Sequence, residues 1–221
     1  MVSVNNSLYN RSDKSKLNTV LNVLIAVVFI VLIFEIAFGS TFSGIYVVQS
    51  SMRPTLIGAE DEDSSGGDYV YVNKNAMPDY GDIVVVFKDG NSTIIKRVIA
   101  LGGDYVKLDK GKLYIKYSGT DEFVEVEENY VDPENNSPTD KNSYPMREGV
   151  LSEDGYYVRQ GYFFLLGDNR NVSVDSRSHG AYPVKDLYGV VTDWSMKYKK
   201  FFSALHKYFS FDLPGCFGLK K

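Results

Sequence analysis

The sequence predicts a mostly β fold, an antiparallel folded sheet or partly open barrel, preceded by one N-terminal transmembrane helix. Three observations predict it. A single long apolar run stands near the N-terminus, and short runs rich in β-branched and aromatic residues follow it, separated by Gly, Asp, Asn and Pro. The chain also has 17 Tyr and 13 Phe, which fit strand positions better than helical ones. An antiparallel all-β architecture accommodates such short runs.

The apolar run covers residues 17–38 and contains a single charged residue, Glu35. At about 22 residues it is long enough to cross a bilayer as a helix. It exceeds the apolar core of a cleaved secretory signal, and no Ala-x-Ala pattern follows it, so we expect an uncleaved anchor.

Basic residues flank only one end of this run. Arg11, Lys14 and Lys16 precede it. By the positive-inside rule, residues 1–16 are expected in the cytoplasm and the chain from residue 39 onward outside. The sequence thus predicts a single-pass protein of the cell membrane, with the lipid bilayer as one partner.

Eight strand-like runs follow the anchor and are expected to build an extracytoplasmic β-rich domain over residues 39–193. They cover residues 45–49, 68–73, 82–88, 93–101, 105–108, 112–117, 162–166 and 187–192.

Three segments fit this pattern poorly. Residues 58–67 are acidic and rich in Gly and Ser, and we expect a solvated loop without the ligand spacing of a calcium site. Residues 118–155 are acidic and turn-rich, which indicates a small β subdomain or a long excursion. The tail, residues 194–221, is basic and amphipathic.

Two interpretations of the tail stay open. Residues 195–211 mix Lys with Phe and Leu, as helices in a membrane interface do. In that case four apolar residues would face lipid: Phe201, Phe202, Leu205 and Phe209. The alternative is a terminal helix that packs on the folded body.

Composition excludes several function classes. The net charge is −4 and the basic residues are scattered apart from a cluster near each end, so no nucleic-acid partner is expected. The single cysteine, Cys216, cannot form an internal disulfide. With one cysteine and two histidines, a Cys/His zinc site is not expected. With no phosphate-binding glycine loop, we expect neither a metal nor another cofactor.

A candidate nucleophile, Ser51, stands in the polar stretch after the first predicted strand. Pro54 can stiffen this loop, and the apolar Met52 and Leu56 would line a pocket or dip into the bilayer surface. A nucleophilic serine needs exposure, a rigid loop and nearby backbone N–H groups. Taken alone, such a serine is more often a turn residue.

A candidate general base, Lys96, lies in the predicted strand over residues 93–101. Alternation along a strand places it on one face with Ile94 and Val98. Aliphatic neighbours desolvate a lysine and lower its pKa, as a general base requires. The alternative is an edge strand from which Lys96 reaches solvent.

Residues 167–177 follow the predicted strand over residues 162–166 and hold further candidates. Ser173 offers a hydroxyl that can hold an ammonium group, and Asp175 and Arg177 can pair. The alternative is an ordinary polar loop with a surface ion pair of under about 1 kcal/mol.

Together these motifs resemble the bacterial type I signal peptidases, the leader peptidase family of serine proteases. Residues 51–55 (SMRPT), 81–84 (GDIV), 96–98 (KRV) and 167–177 (GDNRNVSVDSR) occur in the family's order. The resemblance runs from the anchor to about residue 191, and residues 58–67 and 118–155 match the family poorly.

The resemblance implies a β-rich fold and a membrane-bound endopeptidase that removes N-terminal signal peptides from exported preproteins. Cleavage would follow a small residue of an Ala-x-Ala type site and would use a Ser/Lys dyad. Ser51 would be the nucleophile, and Lys96 the general base that Ser173 orients. Asp175 and Arg177 would brace the site, Asp168 and Asn169 would shape its turn, and Met52 and Pro54 would contact substrate.

The chain departs from the family pattern before the nucleophile, where many members have Ser or Gly and this chain has Gln49. We expect Gln49 on the same strand face as Ser51, where its amide can act as an oxyanion donor. The turn at residues 100–104 (ALGGD) also differs, and the tail is longer than the family pattern.

Three alternative functions are kept. His179 lies two residues after Arg177 and is a second candidate base. A non-catalytic, membrane-tethered β module would bind a partner, but Ser51 and Lys96 argue against it. A self-cleaving repressor-type Ser/Lys protease is disfavoured by the anchor and by the lack of a DNA-binding helix pair.

Overall fold

A computed structural model describes residues 5–60, 66–88, 92–109, 111–135 and 154–209. It divides into two units, residues 1–41 and residues 42–221. The first contains helix α1, Asn5–Thr41. Within the described residues, α1 is the one helix long and apolar enough to cross a membrane, by length and composition, over the 28 residues Lys14–Thr41. The predicted span over residues 17–38 lies inside it, and the helix also includes residues 5–16.

In its described residues, the second unit has eleven strands and three short helices. The strands are β1 (Phe42–Tyr46), β2 (Tyr69–Asn73), β3 (Ile83–Lys88), β4 (Ser92–Leu101), β5 (Tyr105–Asp109), β6 (Lys112–Lys116), β7 (Val124–Val126), β8 (Tyr156–Tyr157), β9 (Tyr162–Leu166), β10 (Tyr182–Pro183) and β11 (Leu187–Val191). The helices are α2 (Ser176–His179), α3 (Asp193–Lys197) and α4 (Lys199–Phe209), with 3₁₀ turns at Pro133–Asn135 and Val184–Asp186.

The strands form two sheets in which every strand pair is antiparallel. The larger sheet has seven strands in the order β1-β2-β11-β3-β4-β9-β10, and the smaller has four in the order β7-β6-β5-β8. The predicted mostly β, antiparallel class is confirmed. β7 lies in the 118–155 excursion, so this part contributes one edge of the smaller sheet.

Seven of the eight predicted strands agree with the structure within one residue at each end. The first is wrong: residues 45–49 were expected, whereas β1 ends at Tyr46. The chain turns at Gln49, whose φ of 69° lies outside the β region. Val48 makes only an isolated bridge to Ala59.

Strand β4 lies inside the larger sheet, between β3 and β9. On one side of it Ile95 packs in a core cluster with Val47 and Met52, and Val98 belongs to a second cluster with Phe163. Both faces of the strand are therefore apolar. β9 pairs with β4 only from Arg97 onward, but the Lys96 side chain is buried, so the alternative in which Lys96 reaches solvent is wrong.

The predicted loop over residues 58–67 is not solvated at its ends. Gly58, Ala59 and Gly67 are buried, and residues 61–65 lie outside the described part. Ala59 N–H donates to the Val47 carbonyl at 3.0 Å, and the Gln49 N–H donates to the Ala59 carbonyl at 2.7 Å. Backbone groups that need partners thus hold the base of this loop beside the chain that leads to Ser51.

The tail helix α4 packs against β2, as the packed-helix alternative expects. Its Phe202 ring meets Tyr71 edge-on at 5.3 Å, and His206 stacks on Tyr69 at 4.5 Å. The expectation that Phe202 faces lipid is therefore wrong, since its ring is half-buried against Tyr71 and Trp194. Phe201 is 62% exposed. Leu205 is half-buried, and the Phe209 side chain lies outside the described residues.

Candidate active site

Ser51 and Lys96 meet at hydrogen-bond distance. Ser51 stands in the loop after β1, and Lys96 projects from the middle of β4 opposite Val84. Lys96 Nζ lies 2.8 Å from Ser51 Oγ and 2.8 Å from the Ile95 carbonyl oxygen. Residues 45 positions apart in the sequence thus form the serine–lysine pair that catalysis by a lysine base needs.

Lys96 is 4% exposed. Burial lowers its pKa to about 8, since desolvation penalises the ammonium form and the opposing pull of Asp175 and Asp168 is smaller. At that pKa about one lysine in ten is neutral at pH 7, against about one in 2,500 at the reference value. The environment thus supplies the unprotonated amine that a general base requires.

Asn169 fixes the backbone around Ser51. Its N–H donates to the Ser51 carbonyl at 3.0 Å, and its side-chain amide donates to the Ser50 carbonyl at 3.1 Å. Among the described residues, the Ser51 N–H has no hydrogen-bond acceptor of its own. An N–H held in place and unengaged is the type of group that stabilises an oxyanion.

The turn at Gly167 lies directly against the Ser51 loop. A Cβ on Gly167 would be 2.5 Å from the Ser51 carbonyl oxygen and 2.1 Å from Ser173 Oγ. Glycine is required here because any larger side chain would collide with both groups. The close approach brings the 167–177 segment to the nucleophile, as the sequence predicted.

Asp175 and Arg177 form a buried ion pair, not the surface pair of the alternative interpretation. Arg177 Nε and Nη2 donate to the two Asp175 oxygens at 2.9 and 3.0 Å, and the side chains are 9% and 0% exposed. Burial by itself raises the pKa of Asp175, but the charge and hydrogen bonds of Arg177 and the Gly167 N–H outweigh it and hold that pKa below its ordinary value. Asp175 also caps α2 by accepting from the Arg177 N–H.

Ser173 lies within this buried segment but does not bond to Lys96. Its hydroxyl is buried and makes no hydrogen bond of ordinary geometry with the described residues. It is near enough to Asp175 to help lower the pKa of that carboxyl. The expected orienting bond from Ser173 to Lys96 stays a prediction, and the Ile95 carbonyl occupies one donor of Lys96 in this arrangement.

Sequence reasoning missed the role of Arg97. Its Nε and Nη2 donate to the two Asp168 oxygens at 2.8 and 2.6 Å, and Asp168 also accepts from the Thr55 hydroxyl. Asp168 is fully buried. This fork ties β4, the Gly167 turn and the Ser51 loop together. The available signal was an arginine directly after the lysine, on the opposite strand face.

The remaining candidates lie in less direct positions. Met52 is 1% exposed and packs with Leu56 in a core cluster under the Ser51 loop. Of the two alternatives for this pair, contact with the bilayer surface is wrong, because both side chains are buried. Pro54 is exposed on the loop. Their contact with substrate stays a prediction.

Gln49 and His179 are both exposed and do not lie where their predicted roles would place them. Gln49 is exposed and lies in a bend, so the expected placement on a strand face shared with Ser51 is wrong. Its role as an oxyanion donor stays a prediction. His179 is exposed at the end of α2, and Lys96 is the base candidate in contact with the Ser51 hydroxyl.

Comparison with known proteins places this site in a family. The sequence profile described as "Signal peptidase, peptidase S26" matches residues 18–194. Signal peptidase I of Streptococcus pneumoniae (strain TIGR4) is 32% identical over 169 residues, which cover 67% of this chain and 79% of that protein. Thylakoidal processing peptidase 1 of Arabidopsis thaliana is 30% identical over 160 residues, covering 65% of this chain and 38% of that protein.

A solved structure of a signal peptidase I from Enterococcus faecalis V583 is 28% identical, covers 53% of this chain and 98% of its own, and superposes with a TM-score of 0.41. The family match extends from the apolar helix through the Ser51 loop, β4 and the Gly167 turn. The chain therefore belongs to the signal peptidase family, peptidase S26, and is a serine peptidase.

Proposed function

We propose that this chain removes N-terminal signal peptides from exported preproteins, with Ser51 as nucleophile and Lys96 as general base. The observation that carries the proposal is the 2.8 Å approach of a buried Lys96 amine to the Ser51 hydroxyl. A lysine acts as a base only when it is desolvated, and this one is.

In the first half of the reaction, the neutral Lys96 amine takes the proton of Ser51 Oγ while that oxygen attacks the carbonyl carbon of the scissile peptide. The carbonyl oxygen becomes an oxyanion, which the Ser51 N–H stabilises. Lys96 then passes the proton to the leaving amine. The C–N bond breaks, and an ester joins Ser51 to the signal peptide.

In the second half, Lys96 takes a proton from a water molecule, whose oxygen attacks the ester carbonyl carbon. The ester C–O bond breaks, Ser51 Oγ regains a proton from Lys96, and the signal peptide leaves with a new carboxylate. Every proton removed is returned, so the reaction needs only water.

For the substrate we propose an extended segment that ends in a small residue, of the Ala-x-Ala type, added as a strand beside β4. β9 pairs with β4 only from Arg97 onward, where Arg97 faces Leu166. The stretch of β4 that leads to Lys96 thus presents a sheet edge on that side. Changing the small residue before the cleavage site to Phe in a preprotein should abolish cleavage, and mass spectrometry of the product would check it.

We propose that α1 anchors the protein with its N-terminus in the cytoplasm, because the basic residues precede the apolar stretch. Protease added to intact spheroplasts should cut the acidic loop at residues 61–63. Protection of that loop in intact cells, with cleavage only after lysis, would reverse the orientation.

The decisive test is cleavage of a secretory preprotein by the detergent-solubilised protein. Ser51→Ala should abolish processing, because it removes the hydroxyl that forms the ester. Ser92→Ala, an exposed serine at the start of β4, is the matched control and should process normally. Processing that survives in Ser51→Ala would end the proposal.

A further inference from the structure

The acidic segment after β7 reaches two arginines of the candidate active site. Arg170 Nη1 donates to Glu128 at 2.9 Å and Nη2 to its second oxygen, and the two side chains are 3% and 9% exposed. The Tyr130 hydroxyl donates to the same carboxylate at 2.7 Å. The Tyr130 ring lies 4.0 Å from the Arg97 guanidinium carbon. We call residues 128–130 the acidic strap. Its Glu128 binds Arg170, and its Tyr130 ring covers Arg97.

The first arginine connects the strap to the Gly167 turn. Arg170 Nε donates to the Gly167 carbonyl at 3.1 Å, while the Gly167 N–H donates to Asp175 at 3.0 Å. Both peptide groups of Gly167 are therefore held by side chains, the carbonyl by Arg170 and the N–H by Asp175. Because Gly167 touches the Ser51 carbonyl, a shift of Arg170 moves the surface against which Ser51 rests.

The second arginine connects the strap to the nucleophile loop. Arg97 binds Asp168 with two hydrogen bonds, and Asp168 accepts from Thr55, four residues after Ser51. Arg97 also follows Lys96 directly on β4. The Tyr130 ring covers the guanidinium and so limits the positions it can adopt while it holds Asp168.

A purely local role in the smaller sheet does not account for Glu128. The same segment has another ion pair, Glu125 with Lys112, which joins β7 to β6 and is 49% and 58% exposed. Exposed pairs of this kind contribute little. Glu128 instead leaves its own sheet, and its carboxylate is buried against Arg170, whose charge would otherwise be buried without a partner.

We propose that Glu128 and Tyr130 are positioning residues for the peptidase reaction, and that the acidic strap completes the active site by holding the Gly167 turn against Ser51. The inference rests on the proposed Ser51/Lys96 mechanism. It gives the first half of the 118–155 excursion a function that its acidic composition does not reveal.

The test compares kcat and KM for preprotein cleavage by the full-length protein in detergent, at a temperature well below thermal unfolding. Glu128→Gln should lower kcat roughly 10- to 100-fold with KM changed less than about twofold, since a displacement of about 1 Å has that effect. Glu125→Gln, the matched control on the same segment, should stay within about twofold of wild type. Tyr130→Leu, which keeps the Arg170–Glu128 pair, should lower kcat about 3- to 10-fold.

A double variant separates positioning from general destabilisation. If Glu128 acts through Arg170, Glu128→Gln combined with Arg170→Met should have the kcat of Arg170→Met alone, within about twofold. Additive losses would overturn the proposal, as would wild-type kcat in either folded strap variant. If Glu128→Gln fails to fold, Tyr130→Leu decides by its own kcat. Ser51→Ala tests the underlying mechanism separately. If this variant still cleaves the preprotein, the Ser51/Lys96 mechanism is wrong, irrespective of the kcat values of the strap variants.

Discussion

The Asn169 N–H donates a hydrogen bond to the Ser51 carbonyl across 3.0 Å, although the two residues come from opposite halves of the chain. The Asn169 side chain adds a second bond to the Ser50 carbonyl. Together they fix the peptide groups on both sides of Ser51. Among the described residues the Ser51 N–H has no hydrogen-bond acceptor, so it is available to a ligand.

The contact of Gly167 with this loop gives a first prediction. Gly167→Ala places a methyl group 2.5 Å from the Ser51 carbonyl and 2.1 Å from Ser173 Oγ, so the loop must move. We expect kcat to fall about 100-fold, because misplaced reacting groups lose their near-attack geometry. Gly66→Ala is the control, since a Cβ there meets nothing within 4 Å. Steady-state kinetics on a preprotein measure both, and unchanged kcat in Gly167→Ala would contradict the close contact.

A second prediction concerns the protonation of Lys96. Its pKa is lowered to about 8 by burial, so activity should rise with pH and level off above about pH 8 as the amine becomes neutral. Lys96→Arg should be as inactive as Lys96→Ala, because a guanidinium stays protonated at any usable pH. The pH dependence of kcat/KM measures this. An active Lys96→Arg protein would remove Lys96 as the base and return attention to His179.

A third prediction links the same pKa to stability. The folded protein releases the Lys96 proton near pH 8, whereas the unfolded chain holds it to about 10.5. Between these values the unfolded state binds more protons, so the free energy of unfolding rises with pH across this window. Below pH 8 Lys96 is charged in both states, and its burial destabilises the folded state by the full amount. A shift of this size corresponds to roughly 3 kcal/mol.

Lys96→Met removes that buried charge while keeping the side-chain length. The variant should be inactive, yet should unfold at a higher temperature than wild type at pH 7. The difference should shrink toward pH 10, where wild-type Lys96 is neutral when folded. Thermal unfolding of both proteins in detergent across this pH range measures the difference. Equal unfolding temperatures of wild type and variant at pH 7 would show that the buried Lys96 charge does not destabilise the fold.

A fourth prediction concerns Gln49. If its amide is the second oxyanion donor, Gln49→Ala should lower kcat by about 10² to 10³ with KM little changed. The left-handed backbone at φ 69° turns Gln49 out of β1, so its side chain approaches any substrate from the bend and not from a strand. Near-normal turnover in Gln49→Ala would leave the Ser51 N–H as the main donor.

A fifth prediction concerns the tail. Lys199 donates to the Thr55 carbonyl at 2.6 Å and to Asp68 at 2.8 Å, and Phe202 packs on β2. Phe202→Ala should therefore lower the unfolding temperature, whereas the exposed Phe201 should tolerate the same change. Differential scanning fluorimetry of both variants compares the inner and outer faces of α4.

The outward face of α4 provides the separate membrane test. A protein that begins at residue 42 should bind anionic vesicles through exposed Phe201 and Lys200 if the packed helix also touches lipid, and Phe201→Asp should weaken that binding. Equal vesicle binding by the protein that ends at Asp193 would confine the role of α4 to packing on β2.

Much of the architecture follows from local sequence pattern. The apolar stretch that forms α1 and seven strands were predictable, because hydrophobic length and β-branched content act within a few residues. The backbone at Gln49 was not predictable in this way. It lies close to Gly58 and bonds to Ala59, and a local pattern does not reveal contacts with residues about ten positions further along the chain. The order of motifs indicated Ser51 and Lys96 as candidates, but it did not show that their side chains are in contact.

The sequence by itself thus determined the long apolar helix, the β class and the residue types available for chemistry. The tertiary structure decided which of them meet: Lys96 with Ser51 across 45 positions, Arg97 with Asp168 across 71, and Arg170 with Glu128 across 42. Periodicity is a property of neighbouring residues, whereas the burial that lowers the pKa of Lys96 and pairs the buried arginines exists only once distant strands and loops pack together.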